Sequence, residues 1–164
     1  MTDSRVILRV NGADQDIQTR SDETLLDALR REMQLFGVRE GCGIGMCGAC
    51  TVLVDGQPMS ACLMLAALSG GKNIVTIEGL SKGAELHPVQ QAFIDHTAFQ
   101  CSYCTPGFIL TTVALLAENP APTGADIREY LAGNLCRCGS YVKIVDAVLD
   151  AAERLRGDQG GVTE

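Results

Sequence analysis

The sequence predicts an α+β fold, in which a mixed β half with one helix precedes a half made of four short helices. Between residues 5 and 80, short runs alternate apolar and polar side chains around the turn dipeptides Asn11-Gly12 and Asp55-Gly56. Beyond residue 86, apolar side chains recur at helical spacing. We therefore expect a first domain of residues 1–80, a linker of 81–86, a second domain of 87–156 and a tail of 157–164.

In the first half, residues 5–10 read as a strand, and residues 16–19 return after the Asn11-Gly12 turn. Ser21 or Asp22 can cap a helix whose apolar face follows at helical spacing. That face comprises Leu25, Leu26, Leu29 and Met33.

After a glycine- and cysteine-rich loop, residues 50–54 alternate as a strand up to the turn at Asp55-Gly56. Residues 59–62 then read as the returning strand, which would carry Cys62. Residues 73–80 read as one further strand. The first half is therefore expected to be a small sheet with one helix.

The second half contains four helical segments. The first follows His87 with Pro88 in its first turn, and the second runs from Pro106 to Glu118. Thr123 and Asp126 can cap a third helix that ends near Gly133. Ser140 can cap the fourth, whose apolar face contains Val142, Val145, Val148, Leu149 and Leu155.

Composition excludes several classes of function. The chain of 164 residues carries a formal net charge of −7, which argues against binding to nucleic acid or to an anionic membrane. The N-terminus lacks the pattern of a signal peptide. The uncharged stretch of residues 97–117 contains Gln100, Pro106 and Gly107, so we do not expect it to span a membrane. We expect a cytoplasmic protein, in which eight cysteines favour metal binding or redox work over disulfides.

The first cysteine set lies in the loop before residue 51. Cys42, Cys47 and Cys50 have the spacing C-x4-C-x2-C, and Cys62 is the next cysteine. This is the plant-type ferredoxin pattern for a [2Fe–2S] cluster. Interleaved glycines permit positive φ and let backbone N–H groups face the anionic cluster. A four-cysteine zinc site and a glycine-rich turn with buried thiols are the alternatives.

The second set comprises Cys101, Cys104, Cys136 and Cys138, arranged as C-x2-C and C-x-C pairs. Each pair precedes a predicted helix, whose N-terminus offers N–H donors and positive partial charge to thiolates. Zinc is the main alternative here, because C-x2-C is also a zinc spacing. Spacing alone supports a metal site more firmly than it supports iron.

The residues themselves offer no acid–base pair, nucleophile triad or phosphate loop. We therefore predict an electron carrier within a larger enzyme. A free-standing two-cluster ferredoxin and a zinc-stabilised interaction module remain alternatives.

The two sets in this order resemble the small iron–sulfur subunit of the molybdenum hydroxylases, the xanthine dehydrogenase, aldehyde oxidase and carbon monoxide dehydrogenase group. The resemblance covers residues 3–155, and its strongest segments are GCGIGMCGACTVLVDG, HPVQQAF, QCSYCTPGFI, NPAPT and GNLCRCGSYVKIVDAV. It implies an oxidoreductase subunit with a β-grasp, ferredoxin-like first domain and a C-terminal four-helix bundle, each around a [2Fe–2S] cluster. It also favours iron over zinc in the second set.

By the same resemblance, the ligands match residue by residue. Cys42, Cys47, Cys50 and Cys62 match those of the first cluster, and Cys101, Cys104, Cys136 and Cys138 those of the second. Gln100 matches a glutamine that hydrogen-bonds the molybdopterin, and Cys138 matches the ligand nearest to that pterin.

The resemblance further implies two partners: a large subunit that holds most of the molybdopterin, and a medium subunit that holds FAD. Electrons would pass from molybdenum through the second and then the first cluster to the flavin or another acceptor. Two positions depart from the family. Ser102 stands where a glycine is frequent, and Gly139-Ser140 stands where Thr-Gly is frequent. Both departures can alter hydrogen bonding near the second cluster.

Overall fold

The computed structural model describes residues 3–159, with side chains for 4–157, and confirms an α+β fold. Five strands and five α-helices occur in this range. The strands are β1 (Asp3–Val10), β2 (Ala13–Arg20), β3 (Thr51–Val54), β4 (Gln57–Ser60) and β5 (Asn73–Val75). The helices are α1 (Leu25–Arg31), α2 (Pro88–Asp95), α3 (Thr105–Glu118), α4 (Gly124–Tyr130) and α5 (Tyr141–Gln159).

The strands form one mixed sheet in the order β2-β1-β5-β3-β4. β1 pairs antiparallel with β2 and parallel with β5, while β3 pairs antiparallel with both β4 and β5. Both predicted hairpin turns are present. Asn11 and Gly12 have φ of 51° and 84°, and Asp55 and Gly56 have 51° and 85°. Two consecutive positive φ values match the twist of the flanking strands, which is why Asn-Gly and Asp-Gly favour this turn.

One face of the sheet packs on α1. Leu25, Leu26 and Leu29 are buried there against Leu8 and Ile74 of the two parallel strands. Burying such aliphatic side chains contributes roughly 1.5–3 kcal/mol each, which holds the short α1 in place. The helix positions the cysteine loop that follows it.

The second half contains the four expected helices, packed around a separate core. Phe93 of α2, Phe108 of α3 and Ile127 of α4 are fully buried in it together with Val148 of α5. The predicted capping box of α4 is confirmed, since the Thr123 hydroxyl accepts from the Asp126 N–H at 3.2 Å and the Asp126 carboxylate accepts from the Thr123 N–H at 2.8 Å.

Some boundaries differ from prediction. The N-cap of α1 is Thr24, whose hydroxyl accepts from the Asp27 N–H at 3.1 Å, and not Ser21 or Asp22. Residues 21–22 form a turn instead, and the carboxylate of Glu23 is buried behind it. Glu23 accepts from the Thr19 hydroxyl at 2.9 Å and pairs with Arg31 at 2.9 Å. Thr24 also pairs with Leu65 in an isolated β-bridge, so the chain is still extended at Thr24 and the helix begins at Leu25.

Cys62 does not lie on the returning strand. β4 ends at Ser60, and Cys62 sits in a single 3-10 turn of residues 61–63. The strand predicted for residues 73–80 also ends early, at Val75, and a 3-10 turn follows at residues 77–79. β4 ends opposite Thr51, the residue at which its partner β3 begins. After β5, the Thr76 N–H donates to the side-chain oxygen of Asn11 at 2.9 Å and not to a strand.

The end of the chain also differs. α5 continues to Gln159, so the first three residues of the predicted tail are helical, and residues 160–164 lie outside the described range. The predicted side-chain cap is absent, since the buried Ser140 hydroxyl has no partner on the helix. Within residues 3–159, no helix has the length and apolar character needed to cross a membrane.

The two halves meet where α3 lies against β3 and the cysteine loop. Leu53 of β3 is buried against Leu110 and Ala114 of α3. One turn before Leu110 on α3, Gly107 lies very close to the cysteine loop. A Cβ built on Gly107 would stand 2.1 Å from the Gly48 carbonyl oxygen. Only a glycine allows this approach of α3 to the loop.

We predict that Gly107→Ala destabilises the protein, although glycine to alanine in a helix normally stabilises by about 1 kcal/mol. The added methyl must displace the backbone of Gly48, and such overpacking costs about 2 kcal/mol. Thermal unfolding followed by circular dichroism measures the difference. Gly157→Ala in α5 is the matched control, because a Cβ there meets nothing within 4 Å. A Gly107→Ala melting temperature at or above that of the wild type contradicts the predicted clash.

Candidate metal centres

The first cysteine set begins in the loop between α1 and β3. Gly43, Gly45 and Gly48 in this loop have φ of 67°, 75° and 67°, a region that L side chains rarely adopt. This path turns backbone N–H groups toward the thiols. The N–H groups of Ile44 and Met46 donate to Cys42 Sγ at 3.5 Å and 3.3 Å.

These donors change the chemistry of Cys42. They lower the pKa of its thiol to about 7, with the Ile44 N–H as the largest cause, and the Cys47 thiol also contributes. A thiolate is the form that ligates a metal. Cys42 is therefore prepared as a ligand, and it lies beside Cys47.

Cys50 and Cys62 form the buried side of the same set. Burial, followed by the thiols of Cys62 and Cys47, raises the pKa of the Cys50 thiol to about 11. The structure thus places the thiols of the four predicted ligands in two neighbouring pairs, Cys42 with Cys47 and Cys50 with Cys62.

The glycines also provide space in this loop. A Cβ on Gly41 would stand 2.8 Å from Cys47 Sγ, and one on Gly45 would stand 2.4 Å from Leu63 Cδ1. A side chain at Gly41 would therefore push against the Cys47 thiol, and one at Gly45 would push against Leu63. The close fit agrees with a backbone wrapped around a compact group.

The second set pairs across two loops. Cys101 and Cys104 precede α3, and Cys136 and Cys138 precede α5. The pKa of Cys101 is lowered, chiefly by the Tyr103 N–H and then by the Cys138 thiol. Burial, followed by the Cys136 thiol, raises the pKa of Cys104 to about 12. The contacts therefore join Cys101 to Cys138 and Cys104 to Cys136.

A cavity of about 450 Å³ lies between these thiols and the first loop. Cys101, Cys104 and Cys136 line it, together with Cys47 of the first set. The cavity offers room beside three thiols of the second set.

The donor chemistry fits [2Fe–2S] clusters. Each set offers four thiols, and [2Fe–2S] clusters take four thiolates, two on each iron. Within residues 3–159, no three His, Cys, Asp or Glu side chains converge as ligands of a single ion. The thiols instead approach one another in pairs, and one pair could ligate each iron of a two-iron cluster.

The two sets are joined through the backbone. The Leu135 N–H donates to the Cys47 carbonyl oxygen at 3.0 Å, and the Asn134 amide donates to the Gly48 carbonyl oxygen at 3.2 Å. Leu135 immediately precedes Cys136, so a single hydrogen bond links a cysteine of one set to the neighbour of a cysteine of the other. Sequence spacing carried no signal for Asn134 or Leu135, because both contacts join residues that lie far apart along the chain.

Gln100 and Cys138 also lie together. The Gln100 side-chain amide donates to the Cys138 carbonyl oxygen at 3.1 Å, and Gln100 is exposed. The two residues that the sequence predicted to face the pterin therefore share one surface beside the second cysteine set. Sequence reasoning missed Arg39, which reaches the backbone between Cys101 and Cys104.

Comparison with known proteins agrees with this geometry. A family model described as "2Fe-2S iron-sulfur cluster binding domain" matches residues 8–73, and one described as "[2Fe-2S] binding domain" matches residues 76–149. The nicotine 6-hydroxylase small subunit from Paenarthrobacter nicotinovorans is 46% identical, and the match covers 93% of this chain and 92% of its own length.

Two solved structures share the fold. Quinoline 2-oxidoreductase from Pseudomonas putida 86 superposes with a TM-score of 0.91 at 43% identity, covering 94% of this chain and 97% of the matched chain. The aldehyde oxidoreductase from Desulfovibrio desulfuricans gives a TM-score of 0.90 at 43% identity, and there the match covers 94% of this chain but 17% of that much longer one. The chain therefore belongs to the family of small [2Fe–2S] subunits of the molybdenum hydroxylases.

Proposed function

We propose that the chain is the electron-transfer subunit of one of the molybdenum-dependent hydroxylases. It would relay electrons from a molybdopterin centre through two [2Fe–2S] clusters to an FAD subunit or another acceptor. The observation that carries this proposal is the pairing of eight thiols into two sets whose loops are joined by the bond from Leu135 to Cys47.

We assign the ligands by set. Cys42, Cys47, Cys50 and Cys62 would hold the first cluster, and Cys101, Cys104, Cys136 and Cys138 would hold the second. When bound, each cluster supplies a one-electron carrier. The protein contributes N–H donors to the sulfurs, as at Cys42 and Cys101, which favour the added negative charge and so raise the potential.

Exposed apolar side chains support docking of partner subunits at both sets. Beside the first set, Ile44, Met46 and Leu63 are 67%, 65% and 64% exposed. Beside the second, Leu135 and Val142 are exposed. Contiguous exposed apolar surface usually marks an interaction site. We assign the first surface to the medium subunit that holds FAD, and the second to the large subunit that holds molybdopterin.

Gln100 and Cys138 would face the pterin. The Gln100 Nε2 donates to the Cys138 carbonyl, which leaves the amide oxygen free to accept a hydrogen bond from a ligand. Because Gln100 is exposed, this oxygen is accessible to a group held by another chain. The pair is therefore suited to joining the second cluster to a cofactor that a partner carries.

The remaining architecture is also part of the proposal. We take α2 to α5 as a four-helix bundle around the second cluster and residues 1–80 as a β-grasp domain around the first. The separate cores of the two halves support that division.

The ligand assignment predicts that Cys62→Ser and Cys138→Ser each remove one cluster. Iron should fall from about four to about two per chain, because each [2Fe–2S] cluster needs four thiolates. Iron analysis and electron paramagnetic resonance (EPR) measure the loss, and each variant controls for the other by retaining the opposite cluster. Turnover with an external acceptor should be abolished in Cys138→Ser. Unimpaired turnover with about four irons per chain contradicts the assignment.

The partner assignment predicts the composition of the native complex. Tagged chain purified from its host should carry about four irons, one molybdenum and one flavin, with two larger chains. Metal and flavin analysis of the purified complex measures this. If the purified chain carries about four irons but no molybdenum and no larger chains, although its host makes the cofactor, the free-standing two-cluster ferredoxin replaces this proposal.

The pterin assignment predicts a kinetic effect of Gln100→Ala. The variant should retain about four irons per chain but slow the reduction of the clusters by substrate, because its amide no longer contacts the pterin. Stopped-flow absorbance measures cluster reduction in the whole complex. Gln91→Ala in α2 is the control, since that exposed amide donates to Asp95, one turn along the same helix. Equal reduction rates in Gln100→Ala and wild type rule out the assigned contact.

A further inference from the structure

The strongest unexplained cluster of contacts surrounds Arg39, three residues before Cys42. Its guanidinium donates to the Ser102 carbonyl oxygen and lies over the Tyr103 ring, 5.4 Å from the ring centroid. Ser102 and Tyr103 are the two residues between Cys101 and Cys104. An arginine of the first cysteine loop therefore holds the backbone of the second.

A second contact runs in the opposite direction. The Tyr103 hydroxyl donates to the Glu40 carbonyl oxygen at 2.6 Å. Arg39 and Glu40 thus bind both residues between Cys101 and Cys104. We call these four residues, Arg39, Glu40, Ser102 and Tyr103, the clasp.

Ser102 needs such support. Its φ is 62°, in the left-handed region that disfavours residues with a Cβ. Residues in that region persist when surrounding contacts determine their conformation. The φ of Ser102 sets the direction in which the chain leaves Cys101, and therefore the positions of the Cys101 and Cys104 thiols. The bond from Arg39 fixes the carbonyl of this strained residue.

Charge gives Arg39 a second effect. Its half-buried guanidinium stands next to the loop of the second set, and Tyr103 lines the cavity beside Cys101 and Cys104. A nearby positive charge favours the reduced, more negative form of a cluster, which raises its potential.

We propose that Arg39 is a positioning residue for the second [2Fe–2S] cluster, acting through Ser102 and Tyr103 and raising that cluster's potential. This inference rests on the proposed function, since it takes Cys101 and Cys104 as ligands. Arg39 would act on the second cluster in two separable ways. The hydrogen bond maintains the Ser102 backbone, and the charge tunes the potential.

The test uses the complete complex with its clusters bound. EPR-monitored redox titration gives the line shape and midpoint potential of each cluster. The signal that is lost in Cys138→Ser is that of the second cluster. Arg39→Met should lower the potential of the second cluster and broaden its lines, while the first signal stays unchanged. Arg39→Lys retains the charge but not the planar guanidinium, so it should broaden the lines with little change in potential.

A double variant separates geometry from charge. Glycine adopts the φ of Ser102 without strain. Arg39→Met with Ser102→Gly should therefore restore the narrow lines, while the potential stays low. Lines that remain broad in the double variant overturn the positioning role through Ser102.

Arg30→Met is the matched control. Arg30 makes the same two kinds of contact, donating to the Val38 carbonyl at 2.9 Å and lying 5.4 Å from the centroid of Phe36, but it does not reach the second loop. Its removal should leave the second signal unchanged. An Arg39→Met complex with wild-type line shape and potential overturns the inference. A wild-type complex with fewer than about four irons per chain counts instead against the proposed function.

Discussion

The structure depends on the close approach of two backbones, the Gly48 carbonyl of the first cysteine loop and Gly107 in the first turn of α3. Because neither residue has a side chain, α3 can lie directly on the loop. That contact brings Cys104, which precedes α3, near the loop that carries Cys47. Asn134 and Leu135 then bond to Gly48 and Cys47, which draws the second thiol pair to the same place. The contacts between the two cysteine sets follow from this junction.

Each cysteine set combines two kinds of thiol. Cys42 and Cys101 receive backbone N–H donors, which lower their pKa values, whereas burial raises those of Cys50 and Cys104. Cys42 and Cys101 are therefore prepared to bind metal as thiolates, whereas Cys50 and Cys104 must release protons when they bind.

Sequence reasoning predicted the α+β fold class and the family. It succeeded because Asn-Gly and Asp-Gly turns, helical apolar spacing and the C-x4-C-x2-C motif are local signals. It failed at the cap of α1 and at Cys62, where the buried Glu23 and the end of β4 change the local path. The domain limits, the ligand roles of individual residues, the FAD partner and the cytoplasmic location stay predictions.

The sequence by itself determined the candidate ligands of each cluster, because residue type, spacing and glycine placement are local features of the chain. Tertiary structure decided how the two sets meet. The bonds from Leu135 to Cys47, from Gln100 to Cys138 and from Arg39 to Ser102 join residues that are distant in sequence. No local pattern encodes such pairs, because they arise only when the packing of α3 on the first loop closes the intervening chain.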